Sequence, residues 1–251
     1  MTAPASSARP DPALTIVVAV LNEADNIRPV CVEMAEASKA LPDCEFVFVD
    51  DGSTDGTVDA LLAVRQQGIL TGLRVLCHDR RLGKSAALRT GIEAARGRWI
   101  ATIDGDGQDD PTEIAGMLAL AMAATGRPPL VVGVRLRRRD TLSRRMATRF
   151  ANGLRRRLLR DGCPDTGAPL KLFLRDDFLR LPQFEGLHRF LPSLMGRYGV
   201  PLLCLPVRHR NRLHGHSKYT NLNRALVGIR DLLGVMWLNN RTRLPHRVIE
   251  R

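Results

Sequence analysis

Short apolar runs rich in β-branched residues alternate with helical stretches through the first half of this 251-residue chain. The predicted strands cover 14–20, 45–50, 73–78, 98–104 and 130–134, and the predicted helices between them cover 24–41, 54–67, 85–95 and 111–124. Such an alternation is typical of parallel strands joined by crossover helices. We therefore predict an α/β fold with a mostly parallel central sheet flanked by helices. Ser53 or Thr54 is expected to cap the second helix.

The pattern changes after Arg135. The segment 135–160 contains eleven arginines and one carboxylate, that of Asp140, and we predict a basic helix within it, over about 141–160. Short strands and loops are expected to residue 182, followed by a helix near 187–198, a strand at 202–207 and an amphipathic helix at 221–238. We expect a disordered tail at 1–13, a main domain at 14–220 and a membrane- or partner-facing segment at 221–251.

The chain is strongly basic, with a formal net charge of +12. A charge of this size indicates an anionic partner. Nucleic acid, an anionic membrane surface and a phosphorylated substrate all satisfy this requirement, so the charge does not choose among them. A solvated helix face is the alternative interpretation of the arginine-rich segment.

Cysteine usage and hydropathy indicate a cytoplasmic protein that is not integral to a membrane. The five cysteines are scattered and include no C-x-x-C pair, so neither a disulfide framework nor a zinc knuckle is expected. The N-terminal residues lack the apolar core of a secretory signal. The apolar stretch 225–238 is interrupted by Arg230 and Asp231, and it is shorter than the roughly 20 residues that cross a bilayer.

Polar and acidic residues follow three of the predicted strands. Asn22 and Glu23 follow the first, Asp50 and Asp51 the second, and an Asp-Gly-Asp sequence at 104–106 the fourth. Ligands of open α/β sheets bind at the carboxyl ends of the strands. We therefore expect these side chains to share one binding site.

The Asp-Gly-Asp sequence predicts a divalent metal site. Asp104 and Asp106 supply hard oxygen ligands that suit Mg²⁺ or Mn²⁺, and such an ion would neutralise a diphosphate leaving group. The alternative is a polar turn whose acids cap the helix at Pro111. For Asp51, the choice lies between accepting hydrogen bonds from a nucleoside and forming an ordinary strand-to-helix turn.

Two familiar nucleotide-binding motifs are incomplete. Gly83-Lys84-Ser85 resembles the end of a phosphate-binding loop, but His78 stands where that motif requires glycine. No G-x-G-x-x-G sequence follows the first strand. A nucleotide kinase and a dinucleotide-dependent oxidoreductase are therefore disfavoured.

Several motifs in order resemble those of family 2 glycosyltransferases, and above all the dolichol-phosphate mannosyltransferase group and its bacterial polyprenyl-phosphate relatives. The matching segments are 18–23, 50–57, 83–88, 104–111, 133–135, 171–173 and 209–219. This resemblance covers about 14–240 and implies a GT-A type nucleotide-binding fold, with inversion at the anomeric carbon of the transferred sugar.

The resemblance also implies roles for individual residues. Asp104 and Asp106 would hold the metal, with Gln108 as a further ligand, and Arg212 would join the two aspartates as a catalytic residue. The nucleotide-sugar would contact Val20, Asn22, Glu23, Asp51, Lys84, Asp104, Gly105, Asp106, Arg135, Arg212 and Lys218. Arginine forks and lysine would meet phosphate oxygens of donor or acceptor.

The function expected from this resemblance is transfer of a hexose, mannose being favoured, from GDP-mannose or a UDP-hexose to a polyprenyl or dolichyl phosphate. We expect the protein to lie peripherally at the inner face of the cell membrane, through the segments 141–160 and 221–238 or through an integral membrane partner. A soluble or polysaccharide acceptor is one alternative. A basic nucleic-acid-binding module is another, although the arginine-rich segment lacks interleaved aromatic residues for base stacking.

Overall fold

A computed structural model describes residues 11–135, 153, 155, 157–159, 161–212 and 221–243, with side chains of the last segment from residue 228 onward. The strands are β1 (Leu14–Val20), β2 (Cys44–Asp50), β3 (Leu73–Cys77), β4 (Trp99–Asp104), β5 (Leu130–Arg135), β6 (Lys171–Leu174) and β7 (Leu202–Val207). The helices are α1 (Ala24–Ser38), α2 (Thr57–Gln66), α3 (Lys84–Ala94), α4 (Glu113–Ala123), α5 (Arg175–Leu179), α6 (Leu191–Arg197) and α7 (Asn221–Arg241), with a 3₁₀ turn at Leu187–Arg189.

The seven strands form one sheet in the order β3-β2-β1-β4-β6-β5-β7. β1 pairs in parallel with β2 and β4, and β5 pairs in parallel with β7. Among the strands of the described sheet, β6 runs antiparallel to both of its neighbours. The prediction of a mostly parallel α/β sheet flanked by helices is confirmed.

The central strand β1 is buried on both faces, as expected for a parallel sheet covered by helices. Ile16 and Val18 pack into the apolar cluster that contains α1 and α4, whereas Val17 packs on the opposite face, in the cluster that contains α3. The buried hydroxyl of Thr15 donates to Glu45 at 2.8 Å and accepts the backbone N–H of Gly97 at 2.9 Å. The buried hydroxyl of Thr15 is therefore satisfied as donor and as acceptor.

The predicted start of the second helix is wrong. The helix begins at Thr57, and neither Ser53 nor Thr54 caps it. Thr54 instead donates its backbone N–H to Asn22 Oδ1, and the carboxylate of Asp55 accepts the N–H of Thr57 at 3.0 Å. These side-chain bonds hold 53–56 as a turn, because they give its backbone partners outside a helix.

The second half differs in detail from its prediction. The predicted helix at 187–198 consists of the 3₁₀ turn and α6, and the helix predicted at 24–41 ends at Ser38. Within the predicted basic helix at 141–160, residues 153, 155 and 157–159 are helical, and the others lie outside the described residues. Residues 1–10 of the predicted tail also lie outside them.

Helix α7 packs one side against the body of the protein and exposes the other. Leu232 and Val235 are buried in the core, whereas Ile229, Leu233 and Trp237 are exposed at spacings of four residues. Such spacing places the three exposed side chains along one line of the helix. In the described part of the chain, none of the helices combines the length and apolarity that a bilayer crossing needs.

Arginine 197 holds the end of α7. Its guanidinium donates to the carbonyl oxygens of Leu238 and Thr242 and to Asn239 Oδ1. Leu238 O also accepts the backbone N–H and the hydroxyl of Thr242, and a cation is favourable at that end of the helix dipole. The helix terminus is therefore fixed to α6.

Candidate active site

A pocket opens at the carboxyl ends of β1, β2 and β4. It is lined by Ala19, Val20, Leu21, Glu23, Asp51, Arg81, Lys84, Asp104, Gly105, Asp106 and Arg212. Eight of the residues predicted to form the site are in this list. The parallel strands bring these positions together because their carboxyl ends meet at one edge of the sheet.

The two aspartates of the Asp-Gly-Asp sequence face cations from two other segments. Lys84 forms an ion pair with Asp104, and the Arg212 Nη2 atom lies 2.8 Å from Asp106 Oδ2. Burial, and next the charge of Asp104, raise the pKa of the Asp106 carboxyl, although Arg212 opposes this shift. The site therefore concentrates negative charge that demands a nearby cation.

Gly105 allows this close arrangement. A β-carbon at position 105 would lie 2.5 Å from Val20 Cγ1, which is closer than such atoms approach in proteins. The absence of a side chain lets the backbone after β4 approach the Val20 side chain at the end of the neighbouring strand β1. Asp104 and Asp106 both line the pocket.

Glu23 and Asn22 join the loop after β1 to its surroundings. Glu23 accepts hydrogen bonds from Asn26 Nδ2 at 2.6 Å and from Arg212 Nη1 at 3.3 Å. Asn22 has a left-handed backbone conformation, with φ of 50°. Its side-chain oxygen accepts the backbone N–H of Thr54, and its own backbone N–H donates to the hydroxyl of Ser53. Glu23 therefore lines the pocket, whereas Asn22 does not line it but holds the adjacent loop.

Asp51 organises the loop that carries Lys84. Its buried carboxylate accepts the backbone N–H groups of Leu82 at 2.9 Å and Gly83 at 2.8 Å, and it contacts His78 Nδ1 at 2.8 Å. Charge-assisted bonds of this kind fix loop geometry well. The predicted contact between Asp51 and a nucleoside stays a prediction, since these three bonds already use most of its acceptor sites.

A short segment after β7, residues 208–212, delivers Arg212 to the pocket. Arg210 donates its backbone N–H to Gln108 O at 2.8 Å, and its guanidinium forms a two-bond fork with Glu33 at 3.0 Å for each bond. An antiparallel bridge joins Asp109 to His209 in the same region. We call residues 208–212 the strap, because they bind across the loop that follows β4 and contains Asp106.

Three predicted residues have other outcomes. Arg135 does not line the pocket: it forms a two-bond fork with Asp165 at 2.7 and 2.8 Å, and this pair raises its pKa even though burial acts in the opposite direction. Gln108 directs its amide nitrogen to Arg210 O at 3.3 Å. Lys218 lies outside the described residues. The roles of these three stay predictions.

The oxygen donors fit a divalent metal in part. Among the described residues there is no cluster of three or more histidine, cysteine or acidic side chains that could hold a metal by itself. Asp104 and Asp106 nevertheless supply two carboxylates in a place that attracts cations. This agrees with Mg²⁺ sites that use one or two carboxylates and complete the shell with water and substrate phosphates.

Sequence reasoning did not select several residues that build the site. His78 contacts both Asp51 and Thr90 Oγ1, and Arg81 lines the pocket. Both follow β3, so the strand-end argument applied to the first, second and fourth strands would have found them. The Glu33–Arg210 pair carries no comparable signal, because its members are 177 residues apart.

A family model described as glycosyl transferase family 2 matches residues 15–181. The chain belongs to glycosyl transferase family 2. The matched segment includes the strand-end residues of the pocket, and the strap lies beyond it. The family resemblance inferred from the motifs is thereby confirmed.

Curated relatives within this family act on polyprenyl phosphates, according to their names. The dodecaprenyl-phosphate galacturonate synthase of Rhizobium johnstonii is 36% identical over 230 residues, which are 89% of this chain and 66% of that protein. The undecaprenyl-phosphate 4-deoxy-4-formamido-L-arabinose transferase of Edwardsiella ictaluri is 28% identical over 225 residues, with the same two shares. The chain thus spans slightly less than two thirds of the length of these relatives.

Solved structures of glycosyltransferases share the fold. A mannosyltransferase from Pyrobaculum calidifontis, in complex with GDP-mannose and Mn²⁺, aligns with a TM-score of 0.64 at 21% identity, over 95% of this chain and 68% of that one. Glucosyl-3-phosphoglycerate synthase from Mycobacterium tuberculosis, with Mg²⁺ and UDP, aligns with a TM-score of 0.67 at 18% identity, over 91% and 79%. The GT-A fold predicted for this chain is confirmed.

Proposed function

We propose that this protein transfers a sugar from a nucleotide-sugar to a polyprenyl phosphate, with inversion at the anomeric carbon. The observation that carries the proposal is the pocket in which Asp104 and Asp106 face Lys84 and Arg212 at the ends of parallel strands. Family membership supports sugar transfer, and the names of the relatives support the lipid phosphate acceptor.

Sugar transfer to a phosphate acceptor depends on positioning and charge stabilisation more than on a general base. A phosphate acceptor is already ionised near neutral pH, so its oxygen needs no proton removed before it attacks the sugar. Lys84 and Arg212 would orient the donor diphosphate and stabilise the charge that develops on it as it leaves. Mg²⁺ or Mn²⁺ held by Asp104 and Asp106 would add Lewis-acid stabilisation of the same leaving group.

The exposed line of α7 supports a place at the membrane surface. Ile229, Leu233 and Trp237 present apolar area to the outside, and Arg230, Arg241 and Arg243 are exposed on or just after the same helix. Apolar side chains next to basic ones are typical of helices that lie in a bilayer interface and contact anionic lipids. We therefore propose peripheral binding at the cytoplasmic face, with an integral membrane partner as an additional anchor.

The testing experiment is calorimetric titration of the wild type and of the Asp104→Ala/Asp106→Ala variant with GDP-mannose, UDP-glucose and UDP-galacturonate, with and without Mn²⁺. GDP-mannose tests the hexose that the family resemblance favours, and UDP-galacturonate tests the sugar in the name of the Rhizobium relative. We expect Mn²⁺-dependent binding of one donor by the wild type and its loss in the variant.

The acceptor is tested separately, by supplying the bound donor with undecaprenyl phosphate in detergent and following the release of nucleoside diphosphate. Release that depends on the lipid phosphate would support the proposal. Transfer to a soluble acceptor with no response to the lipid would overturn the acceptor assignment, and failure of the wild type to bind any nucleotide-sugar would overturn the donor site.

A further inference from the structure

Helix α7 is connected to the donor pocket by a chain of polar contacts that the transfer reaction does not by itself require. On α7, Asp231 Oδ2 accepts a hydrogen bond from Arg189 Nη2 at 2.8 Å. Both side chains are partly shielded from solvent, with 15% and 33% exposure. An ion pair in such a setting is screened less than one at the open surface.

The contacts continue from this pair through Gly186 and His188. A β-carbon at Gly186 would lie 2.7 Å from both Arg189 Nη2 and Asp231 Oδ2, so the ion pair rests directly on the backbone there. The N–H of Gly186 donates to Ser85 Oγ at 3.1 Å, and His188 Nδ1 lies 2.8 Å from the same hydroxyl. Ser85 is buried and thus receives two contacts from the 186–188 segment.

These contacts meet the residue that follows Lys84. Lys84 and Ser85 are the first two residues of α3, and Gly83 before them has a φ of 98°, a conformation that glycine adopts at little cost. Asp51 fixes the backbone on the other side of Lys84 through the N–H groups of Leu82 and Gly83. Lys84 is therefore held between an anchor just after β2 and an anchor that leads to α7.

We propose that Arg189, Asp231 and His188 are positioning residues through which helix α7 sets the placement of Lys84 in the donor pocket. The proposal rests on the proposed function only in that Lys84 is taken to meet the donor diphosphate. Because equilibrium coupling between two sites is reciprocal, a change in the seating of α7 alters donor binding, and donor binding alters the seating of α7.

The sharpest test is the chemical reactivity of Lys84 itself. The chain contains four lysines, so acetic anhydride labelling resolved by mass spectrometry reports each one separately. Lys39, whose side chain is 71% exposed on α1, serves as the internal reference. The variants are Asp231→Asn, Ser85→Ala and their combination, with Asp59→Asn on the exposed face of α2 as the charge-matched control.

We expect the Lys84 to Lys39 labelling ratio to rise about threefold in Asp231→Asn and in Ser85→Ala, with no further rise in the combination, because both changes break one connected chain. The exchanged pair Arg189→Asp/Asp231→Arg should restore most of the wild-type ratio. Asp59→Asn should leave the ratio unchanged. A purely structural role would lower the melting temperature and leave the ratio where it was.

The steady-state kinetics of sugar transfer provide a second measurement, one that a loss of protein stability would not change in the same way. In Asp231→Asn, the KM for the donor should rise about threefold while kcat stays within about twofold, since a displaced Lys84 mainly contacts the bound donor diphosphate less closely. An unchanged labelling ratio in both Asp231→Asn and Ser85→Ala would overturn the proposal. If Asp231→Asn does not fold, Ser85→Ala and Arg189→Lys decide by the same ratio.

The two proposals fail separately. Labelling needs neither nucleotide nor lipid, so a protein that shows the expected ratios but transfers no sugar contradicts the proposed function alone. A protein that transfers sugar normally in every variant, with constant labelling of Lys84, contradicts the positioning role alone.

Discussion

The two halves of the chain hold their parts of the pocket by different means. In the first half, Asp51 binds backbone N–H groups of Leu82 and Gly83, about 30 residues away, and Asn22 binds the neighbouring turn. In the second half, Arg212 reaches Glu23 and Asp106 through ion pairs, and its strap depends on the Arg210–Glu33 pair. The first half therefore builds its side of the pocket mainly from the geometry of crossover loops. The second half adds its side mainly through ion pairs, beside the backbone contacts that join Arg210 to Gln108 and His209 to Asp109.

The two kinds of contact differ in how rigidly they hold the two sides of the pocket. Bonds from a carboxylate to backbone N–H groups are directional and lie within the fold, whereas partly exposed ion pairs exchange partners readily and weaken with salt. A phosphate group competes well for arginine and lysine. Under the proposed function, the strand-end side would be preformed for the nucleotide and the strap side would rearrange around the phosphates.

The largest expected effect comes from removing the carboxylates of the first half. Asp104→Ala/Asp106→Ala should reduce sugar transfer by about 10³-fold or more, because the groups that organise charge at the leaving diphosphate are lost. Initial rates of nucleoside diphosphate release measure this, with Asp59→Asn as the control. Near-normal turnover in the double variant would show that Asp104 and Asp106 do not stabilise the leaving diphosphate.

A smaller effect is expected on the strap side. Arg212→Ala should lower kcat/KM by about 10²-fold, and Arg212→Lys should recover part of the loss, because lysine keeps the charge without the planar fork. Glu33→Gln keeps the Arg212 side chain but removes the ion pair that holds the strap, so its loss should be milder. This loss should shrink as the salt concentration rises, because salt also weakens the Arg210–Glu33 pair of the wild type. Equal losses in Arg212→Ala and Arg212→Lys would instead favour a role for shape over charge.

Membrane binding should change without any change in the pocket. Leu233→Ser/Trp237→Ser should reduce partitioning onto phosphatidylglycerol vesicles by about tenfold, since two apolar side chains no longer leave water. Met122→Ser on α4 is the matched control, as this side chain is 70% exposed on another helix. Vesicle sedimentation measures the partitioning, and equal sedimentation of all three proteins would contradict a membrane role for α7.

The smallest expected effect concerns a charge buried in β6. Burial, and next the charge of Lys84, lower the pKa of the Lys171 amine to about 8. The folded protein thus bears the cost of a buried ammonium below pH 8, and this cost disappears as the pH rises from 8 towards the ordinary lysine value. Lys171→Met should therefore gain stability relative to the wild type at pH 7, by about 2–4 °C in melting temperature, and less at pH 10.

Thermal melts of the two proteins at pH 7, 8, 9 and 10 test this sign. The difference across pH is the measured quantity, because Lys171 also donates to Ala168 O and that bond is lost at every pH. A constant difference between the two proteins would mean that Lys171 carries no buried charge.

Local pattern was sufficient to predict the parallel core and the carboxylate side of the pocket. The bounds of β1 were predicted as observed, since an apolar strand between turn residues has little alternative. The position of Asp51, Asp104 and Asp106 at one edge followed from strand direction alone. The start of α2 was mispredicted because Asn22, which is distant in sequence, supplies a partner for the backbone of Thr54.

The charged side of the pocket depended on contacts that no local pattern contains. The Arg210–Glu33 pair joins residues 177 apart, and the Arg189–Asp231 pair joins 42. Arginines are so frequent in this chain that an individual one cannot be matched to its acid from sequence. Arg212 was predicted through a family motif, and the strap that places it was not.

The fastening of α7 by Arg197 gives the molecule a fixed orientation. With its end bonded to Arg197 and with Leu232 and Val235 inserted into the core, the helix cannot roll about its own axis. The line through Ile229, Leu233 and Trp237 therefore points in one direction relative to the sheet. A flat surface that receives this line lies on one side of the molecule, which limits the heights and angles at which the pocket can stand above that surface.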